Sequence, residues 1–335
     1  MTERIATTPG VYPLPDWAKD DLADLKGHQK HDLIDGDEGD DVVSVYDQAR
    51  EEVVERQQDA GLDRVVEGQL RWDDMLAHPF AVHDAVETHG IVRYYDNNNF
   101  YRDPVVTGEL TFDGDIAAEL EAASEFADSG SLQAVVPGPY SLADLATDEY
   151  YGDDADFLAA VAEFLAGEVE AFPEVETLFV LEPSLVENPP GEGDDERASE
   201  AIDTVADAAP AGTDVIVHTY WGALEEKVHA HLLDADFHAV GYDFVSEQEQ
   251  NLYNINEYGT KDSIAAGVVD GQNTLVEDSE AIAERADWLE ESTPAADFEE
   301  IYLTPNTELF YLPYSTFQEK LAALGEATEL AEVKA

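Results

Sequence analysis

Residues 215–244, VIVHTYWGALEEKVHAHLLDADFHAVGYDF, contain the pattern that decides the fold of this chain. A continuous apolar run, Val215–Thr219, is followed by a helical pattern over Ala223–Leu233 and then by a second apolar run, Ala239–Asp243. Apolar runs without alternation are typical of parallel strands that are buried on both faces. Two such strands joined by a helix predict a parallel sheet covered by helices.

The same succession of strand and helix recurs along the whole chain. The predicted strands are Arg4–Thr8, Arg64–Gln69, Gln133–Val136, Leu178–Leu181, Val215–Thr219, Ala239–Asp243, Ile264–Val268 and Glu300–Leu303. The predicted helices are Val42–Ala60, Ile116–Phe126, Asp156–Phe172, Ser199–Ala208, Ala223–Leu233, Ser279–Glu291 and Ser315–Leu330. Eight strands that are each followed by helical material favour an α/β fold of the (β/α)8 or TIM-barrel type.

We interpret residues 1–335 as a single barrel domain with one insertion. The segment at about residues 88–111, after the second strand, is predicted to be a β-hairpin. An open, doubly wound sheet is the alternative fold, although the chain has no G-x-G-x-x-G or Walker A sequence to support a nucleotide-binding version of it.

The charge of the chain is extreme. Its 335 residues include 16 Lys and Arg against 77 Asp and Glu, a formal net charge of −61, while 44% of residues are hydrophobic. Such a composition belongs to a folded protein, and its self-repulsion is tolerable at about 1 M salt, where the Debye length is roughly 3 Å. We therefore expect a halophile's cytoplasmic protein. Nucleic acid is excluded as a partner because no basic patch could neutralise phosphates.

Two further classes of protein, those that depend on cysteine and those that are secreted or span a membrane, are disfavoured by features that the sequence lacks. It contains no cysteine, which excludes disulfides, a thiol nucleophile and thiolate-ligated zinc. The start, MTERIATTPG, has no apolar stretch of the signal-peptide kind, and no run approaches the ~20 apolar residues of a membrane span. A membrane partner is therefore not expected.

Polar residues follow the predicted strands, where barrel enzymes place their working groups. The candidate catalytic residues are Glu182, His218 and Asp243. The candidate substrate-binding residues are Arg71, Trp72, Asp74, Asn97, Asn98, Tyr220, Asp270, Asn273, Asn306, Thr307 and Glu308. Together they predict a polar pocket for a small molecule. Because the chain is so acidic, a carboxylate near a strand end is equally consistent with a solvated or structural role. His218 is equally consistent with a histidine that forms a structural hydrogen bond at the barrel rim.

Several segments, taken in order, resemble the cobalamin-independent methionine synthase family. VVERQQDAGLDRVVEGQLRWDDMLAHPF, residues 53–80, is similar to the family's glutamine–glycine–leucine–aspartate segment and the Gly-(Glu/Gln) and Arg-x-Asp-Met stretch that follows it. VVPGPYSL, residues 135–142, resembles its Gly-Pro turn. LFVLEPSLV, residues 178–186, resembles its Asp-Glu-Pro-x-Leu strand, with Leu181 in place of the Asp.

Three later segments resemble the amino-terminal barrel of the two-barrel members of this family. They are HTYWG at residues 218–222, GVVDGQNTLVED at residues 267–278 and LTPNTELFYLPYS at residues 303–315. The resemblance extends from about Glu52 to Leu324.

The resemblance implies a zinc-dependent methyl transfer in which this chain lacks the metal site. The family's catalytic barrel holds zinc with a His-x-Cys pair, a Glu and a distant Cys, and the metal activates homocysteine thiolate towards methyltetrahydrofolate. The corresponding positions here are His218, Tyr220, Asp243 and Thr307. Only the histidine keeps its type, and Tyr and Thr are poor zinc ligands. Zinc and other tightly bound cofactors are therefore not expected.

Three functions remain open from the sequence. The favoured one is a stand-alone homologue of the amino-terminal barrel, which binds a methyltetrahydrofolate-type donor or braces a separately encoded, zinc-bearing catalytic barrel during methyl transfer to homocysteine. The second is a self-sufficient enzyme in which Glu182, His218 and Asp243 perform acid–base chemistry, which requires the three side chains to converge. The third is a non-catalytic structural subunit, for which an apolar rim would be evidence.

Overall fold

The computed structural model of the protein describes residues 2–24, 38–95 and 99–334. The helices are α1 Asp16–Asp24, α2 Asp40–Asp59, α3 His78–Ala81, α4 Asp115–Ser124, α5 Pro139–Asp144, α6 Asp154–Glu170, α7 Ser184–Glu187, α8 Asp194–Asp207, α9 Glu226–Leu232, α10 Gln248–Tyr258, α11 Ser279–Ser292 and α12 Tyr314–Lys334. The strands are β1 Glu3–Ala6, β2 Val65–Val66, β3 Val86–Arg93, β4 Phe100–Val106, β5 Leu132–Pro137, β6 Thr147–Asp148, β7 Thr177–Leu181, β8 Asp214–His218, β9 Ala239–Asp243, β10 Ser263–Val269 and β11 Glu300–Pro305. Within these ranges, no helix has the length and apolarity that crossing a bilayer requires.

Eight parallel strands form the central sheet in the order β1-β11-β10-β9-β8-β7-β5-β2. The two end strands also meet, because the backbone N–H groups of Asp63 and Arg64 donate to the carbonyl oxygen of Ala6 at 3.0 and 3.2 Å. The N–H of Ala6 in turn donates to a carboxylate oxygen of Asp63 at 2.8 Å. The sheet therefore closes on itself, and the predicted (β/α)8 barrel is confirmed.

The apolar runs that predicted the barrel are its buried strands. Every residue of β7, β9 and β10 is buried, as expected for strands with side chains facing both the barrel interior and the helices. Because the strands are parallel, all of their carboxyl ends open at one end of the barrel, which we call the mouth.

The predicted insertion is a β-hairpin of β3 and β4, joined by β6 into a small three-stranded sheet after the second barrel strand. Two tyrosines attach the hairpin to the mouth: the Tyr94 hydroxyl donates to the Asp74 carboxylate, and the Tyr95 hydroxyl lies 2.7 Å from Ser184 Oγ. Asn97 and Asn98, which we predicted to contact substrate, lie outside the described residues.

Helix α10 was not predicted, and its inward face explains why. Asn251 and Asn254 are buried on that face, where an amphipathic helix carries apolar residues. The Asn251 amide donates to the carbonyl oxygens of Asp243 and Glu247 at 2.8 and 2.9 Å, and the Asn254 amide donates to that of Leu224 at 2.9 Å. The helix is attached through amides, so its sequence lacks the periodic apolar signal.

A glycine on the last helix permits a close helix contact. A Cβ atom at Gly325 would lie 1.9 Å from the carbonyl oxygen of Ala60, the residue that ends α2. We expect Gly325→Ala to lower the free energy of unfolding by about 1–3 kcal/mol, because two backbones must separate to admit the methyl group. Thermal and denaturant unfolding in molar KCl measure this. Gly90→Ala, with open space around its Cβ position, is the control and should change stability little; equal effects of the two changes would contradict the contact.

Candidate functional site

A buried set of hydrogen bonds crosses the mouth between β8, β9 and β11. The imidazole Nε2 of His218 lies 3.0 Å from the carbonyl oxygen of Asn306, so Nε2 carries the proton. The amide of Asn306 donates to both carboxylate oxygens of Asp243 at 3.0 Å. Three backbone N–H groups also donate to Asp243, at 2.7 to 3.0 Å. These bonds fix three strand ends relative to one another.

His218 is a neutral, structural imidazole. Its Nδ1 has no hydrogen-bond partner in the described part of the chain and lies against Gly241, where a Cβ atom would come within 2.1 Å of it. Burial lowers the pKa of His218 to about 4, against the opposing effect of its bond to Asn306. A general base acting near neutral pH needs a pKa near 7. His218 does not meet that requirement.

Glu182 holds the turn that begins α5. Its carboxylate accepts the backbone N–H groups of Tyr140 and Ser141 at 2.9 and 2.8 Å, and the Ser141 hydroxyl at 2.6 Å. Burial raises the pKa of Glu182 to about 7 in spite of these donors. Among the described residues, Glu182, His218 and Asp243 form no side-chain hydrogen bond with one another. The predicted acid–base set is therefore not assembled.

Glu308 is the predicted residue whose polar atoms are left without partners. Both carboxylate oxygens are buried and form no hydrogen bond within the described ranges. Burial is the largest cause that raises the pKa of Glu308 to about 8, and the nearby charge of Asp243 contributes to the same rise. Its own backbone N–H and the Gln272 side chain oppose the rise, but neither reaches the geometry of a hydrogen bond to the carboxylate.

Two donors on consecutive residues after β8 are also without partners. The Tyr220 hydroxyl and the Trp221 indole Nε1 are buried and form no hydrogen bond with the described residues. Tyr220 lies two residues beyond His218 and Glu308 two residues beyond Asn306, and Tyr220 is near enough for the charge of Glu308 to act on its hydroxyl. Burial and then the charge of Glu308 raise the pKa of Tyr220 well above its usual range. Buried groups left unpaired cost about 1–3 kcal/mol each, and they call for a bound partner such as water or a ligand.

Aromatic residues with strained backbone cover this space. Tyr95 of the hairpin and Trp221 have φ values of 41° and 71°, which non-glycine residues adopt at a cost of about 1–3 kcal/mol each. Their rings meet edge to face, with centroids 5.3 Å apart, and Trp221 packs on Tyr220 at 4.9 Å. Tyr95 and Trp221 are not among the predicted site residues, because an aromatic residue at positive φ has no sequence signal.

The residues predicted after β2 have structural partners. Arg71 forms ion pairs with Glu38 and with Glu119, the latter at 3.1 Å, and Trp72 is buried. Asp74 is buried and accepts two backbone N–H groups in addition to the hydroxyl of Tyr94. A ligand would have to displace these partners to use Arg71, whereas Asp74 Oδ2 is buried without a hydrogen bond from the described residues.

The remaining predicted residues shape the loops after β10 and β11. Asp270 Oδ1 accepts the backbone N–H groups of Gln272 and Asn273 at 3.0 and 3.1 Å, and the Asn273 side chain is exposed. The Thr307 hydroxyl donates to the carbonyl oxygen of Glu308 at 3.1 Å. Among the described predicted residues, Glu308 has both carboxylate oxygens buried without a partner and Tyr220 has its hydroxyl so placed, while Asp74 and His218 each keep one such atom beside others that are hydrogen-bonded.

Comparison with known proteins identifies the family. The family model for the cobalamin-independent synthase N-terminal domain matches residues 81–294, which is more than half of the chain. The chain belongs to the cobalamin-independent methionine synthase family. The methionine synthases of Saccharolobus islandicus and Sulfolobus acidocaldarius are 22% and 23% identical to it, over 97% and 98% of this chain and 93% of each relative.

Solved structures of the family share the fold. A B12-independent methionine synthase from Shewanella sp. W3-18-1, in complex with selenomethionine, superposes with a TM-score of 0.79 at 16% identity and covers 98% of both chains. A putative B12-independent methionine synthase from Listeria monocytogenes gives 0.72 at 18% identity, over 100% of this chain and 99% of that one. The methionine synthase family fold thus extends over the full length of the chain.

The methionine synthase family's zinc does not fit the residues at its positions here. His218 uses its Nε2 proton on Asn306, and its Nδ1 is pressed against Gly241. Both oxygens of Asp243 accept hydrogen bonds, and the Thr307 hydroxyl is engaged. Tyr220 is left as a protonated phenol with a raised pKa. No step of a mechanism in this chain is therefore routed through zinc at the mouth.

The raised pKa of Glu308 predicts a pH-dependent stability difference. The folded carboxyl group keeps its proton up to about pH 8, whereas the unfolded one ionises near 4.5, so Glu308 destabilises the fold increasingly as pH rises between these values. We expect the stability of Glu308→Gln relative to the original chain to increase from pH 5 to pH 8, by at most about 1.4 kcal/mol per pH unit. Denaturant unfolding at several pH values measures it. Glu121→Gln, at an exposed position, should give a flat difference; a flat result for both variants would contradict the assignment.

Proposed function

We propose that this protein takes part in methyl transfer to homocysteine as a donor-binding or bracing barrel, beside a separately encoded barrel that holds the catalytic zinc. Membership of the methionine synthase family and the match to its N-terminal domain support the reaction and the role. The observation that carries the proposal is the mouth itself, where the zinc positions are closed while Glu308 and Tyr220 are buried without partners.

The chain's own chemistry supports a role in binding rather than in activating sulfur. Without cysteine, and with His218, Asp243 and Thr307 engaged in hydrogen bonds, it offers no ligand set that would keep a thiol deprotonated near neutral pH. In the proposal, the thiol of homocysteine is deprotonated and activated by a partner that has its own zinc site. The Glu182, His218 and Asp243 alternative has no comparable support, because each of the three is bound to other groups.

The unpaired groups indicate the kind of ligand. The protonated carboxyl group of Glu308 accepts hydrogen bonds at its carbonyl oxygen, and Tyr220 and Trp221 offer an O–H and an N–H, so a complementary molecule carries both N–H donors and oxygen acceptors. A methyltetrahydrofolate-type donor has both, and its ring system can lie against the aromatic cover of Tyr95 and Trp221. An amino acid is the second ligand with both, and the Shewanella relative was solved with selenomethionine.

The anionic tail of a folate is the part that this chain is least suited to hold. Arg71 and Arg102, two of the few basic residues near the mouth, are paired with acidic side chains, Arg102 with Asp73 at 2.7 Å. We therefore propose that binding is directed to the ring end of the donor. Salt in the molar range screens the remaining repulsion.

The test is reconstitution of methyl transfer in molar KCl. Methionine formation is measured from homocysteine and methyltetrahydrofolate with this protein alone, with a zinc-bearing catalytic barrel of the same family alone, and with both. We expect no methionine from this protein alone, and an increase of tenfold or more in kcat/KM of the catalytic barrel when both are present. Methionine formed at a useful rate by this chain alone, or no change in the mixture, would rule the proposal out.

Variants separate donor binding from bracing. Quenching of tryptophan fluorescence by methyltetrahydrofolate reports binding at the mouth, and Tyr220→Phe and Glu308→Gln should each weaken it by about tenfold if they contact the donor. Glu121→Gln is the matched surface control and should leave it unchanged. Activation of the partner that survives both mouth variants would indicate bracing without donor binding.

A further inference from the structure

A cluster of metal-ligating side chains lies at the end of the barrel opposite to the mouth. Asp214 is the first residue of β8, His238 immediately precedes β9, and Glu300 is the first residue of β11. One ligand atom from each of the three lies within 4.8 Å of the other two. We propose that Asp214, His238 and Glu300 form a binding site for a divalent transition-metal ion.

The backbone holds these residues in place. The N–H of His238 donates to the carbonyl oxygen of Val215 at 2.9 Å, so the histidine is attached to β8 before β9 begins. Glu300 is paired with Glu3 of β1 in the parallel ladder. Ligands carried on strands of a closed barrel are positioned more rigidly than ligands on loops, which favours metal binding over diffuse cation attraction.

The side chains already point at one another. His238 Nε2 lies 2.6 Å from a Glu300 carboxylate oxygen, and its Nδ1 lies 3.6 Å from Asp214. The Tyr302 hydroxyl lies 2.8 Å from Asp214 and 3.1 Å from Glu300, and it can donate its proton to one of the two carboxylates at a time. All three proposed ligands are partly exposed, with 24–29% of each side chain accessible, so an ion can enter without unfolding.

The local charge favours a cation. Neither Asp214 nor Glu300 forms an ion pair with a lysine or arginine of the described residues, and His238 is the one basic group between them. A divalent ion would neutralise both carboxylates, whereas a protonated imidazole can offset only one.

The donor set indicates which metal. One imidazole nitrogen with two carboxylate oxygens suits Zn²⁺ or Mn²⁺, whereas Mg²⁺ prefers oxygen ligands alone. Bonds of about 2.0–2.2 Å require the three ligand atoms to close from their present separations, which a rotation of these partly exposed side chains can supply. Waters would complete the coordination. Tyr302, hydrogen-bonded to the carboxylates, would orient them as an outer partner.

The site is independent of the function proposed for the mouth. It lies at the amino ends of the strands, whereas His218, Asp243 and Thr307 lie at their carboxyl ends. A metal found in the purified protein would therefore not imply that the family's catalytic site is present. Failure of the proposed methyl transfer would leave this inference untouched, and the reverse is also true.

The test is isothermal titration with MnCl₂ and with ZnCl₂ in molar KCl, which suppresses unspecific attraction of cations to a chain of net charge −61. We expect one ion per chain with a micromolar Kd, and binding of MgCl₂ weaker by at least tenfold. His238→Gln, Asp214→Asn and Glu300→Gln should each weaken Mn²⁺ binding by tenfold or more. Pulsed electron paramagnetic resonance of bound Mn²⁺ should show a coupled imidazole nitrogen that His238→Gln removes.

His231→Gln is the matched control. His231 also lies near two carboxylates, those of Asp195 at 3.8 Å and Asp234 at 3.6 Å, and its loss should leave the affinity unchanged. Circular dichroism checks that each variant is folded, and any one folded variant of the three is sufficient for the comparison. Absence of stoichiometric binding, or binding that the folded variants retain in full, would show that the cluster is an ion-paired histidine and no metal site.

Discussion

The mouth of this barrel depends on Asn306. This residue joins β11 to β8 through its carbonyl oxygen, which His218 contacts, and to β9 through its amide, which donates to the carboxylate of Asp243. Its Oδ1 also accepts the backbone N–H of Gly271 at 2.9 Å, which adds the loop after β10. Burial raises the pKa of Asp243, and the hydrogen bonds from Ser246, Asn306 and Trp221 oppose that rise, whereas burial keeps the imidazole of His218 neutral. The charge states of His218 and Asp243 therefore depend on burial together with these hydrogen bonds.

The sequence predicted the barrel well because its signal is physical and local. A strand buried on both faces must be apolar throughout, so β7, β9 and β10 are visible as runs of Val, Ile, Leu and Ala. Helix α10 was not predicted because its buried Asn251 and Asn254 donate to backbone carbonyl oxygens. In the sequence, a buried asparagine in this role looks the same as an exposed one. The short helix α5 was not predicted because the acceptor for its first N–H groups is Glu182, which is distant in sequence.

The location of the candidate site was predictable from the sequence, but the hydrogen bonding of its residues was not. Its residues had to lie at the carboxyl ends of the strands once the barrel was recognised, and Glu182, His218, Asp243, Asn306 and Glu308 are found there. Which of them are satisfied depends on partners from other strands, and no local pattern encodes that. Glu308 and Asp243 are both buried acids at strand ends, yet one has no partner and the other has five hydrogen bonds.

The attachment of α10 has a consequence for how this protein responds to its solvent. High salt strengthens the burial of apolar surface, and cooling weakens it. Helix α10 has one buried apolar residue, Ile255, and is otherwise attached by amide-to-carbonyl bonds from Asn251 and Asn254. The amide part of this attachment gains little when salt rises and loses little when temperature falls. The contact of α10 with the barrel should therefore respond less to salt and cold than contacts made by apolar side chains alone.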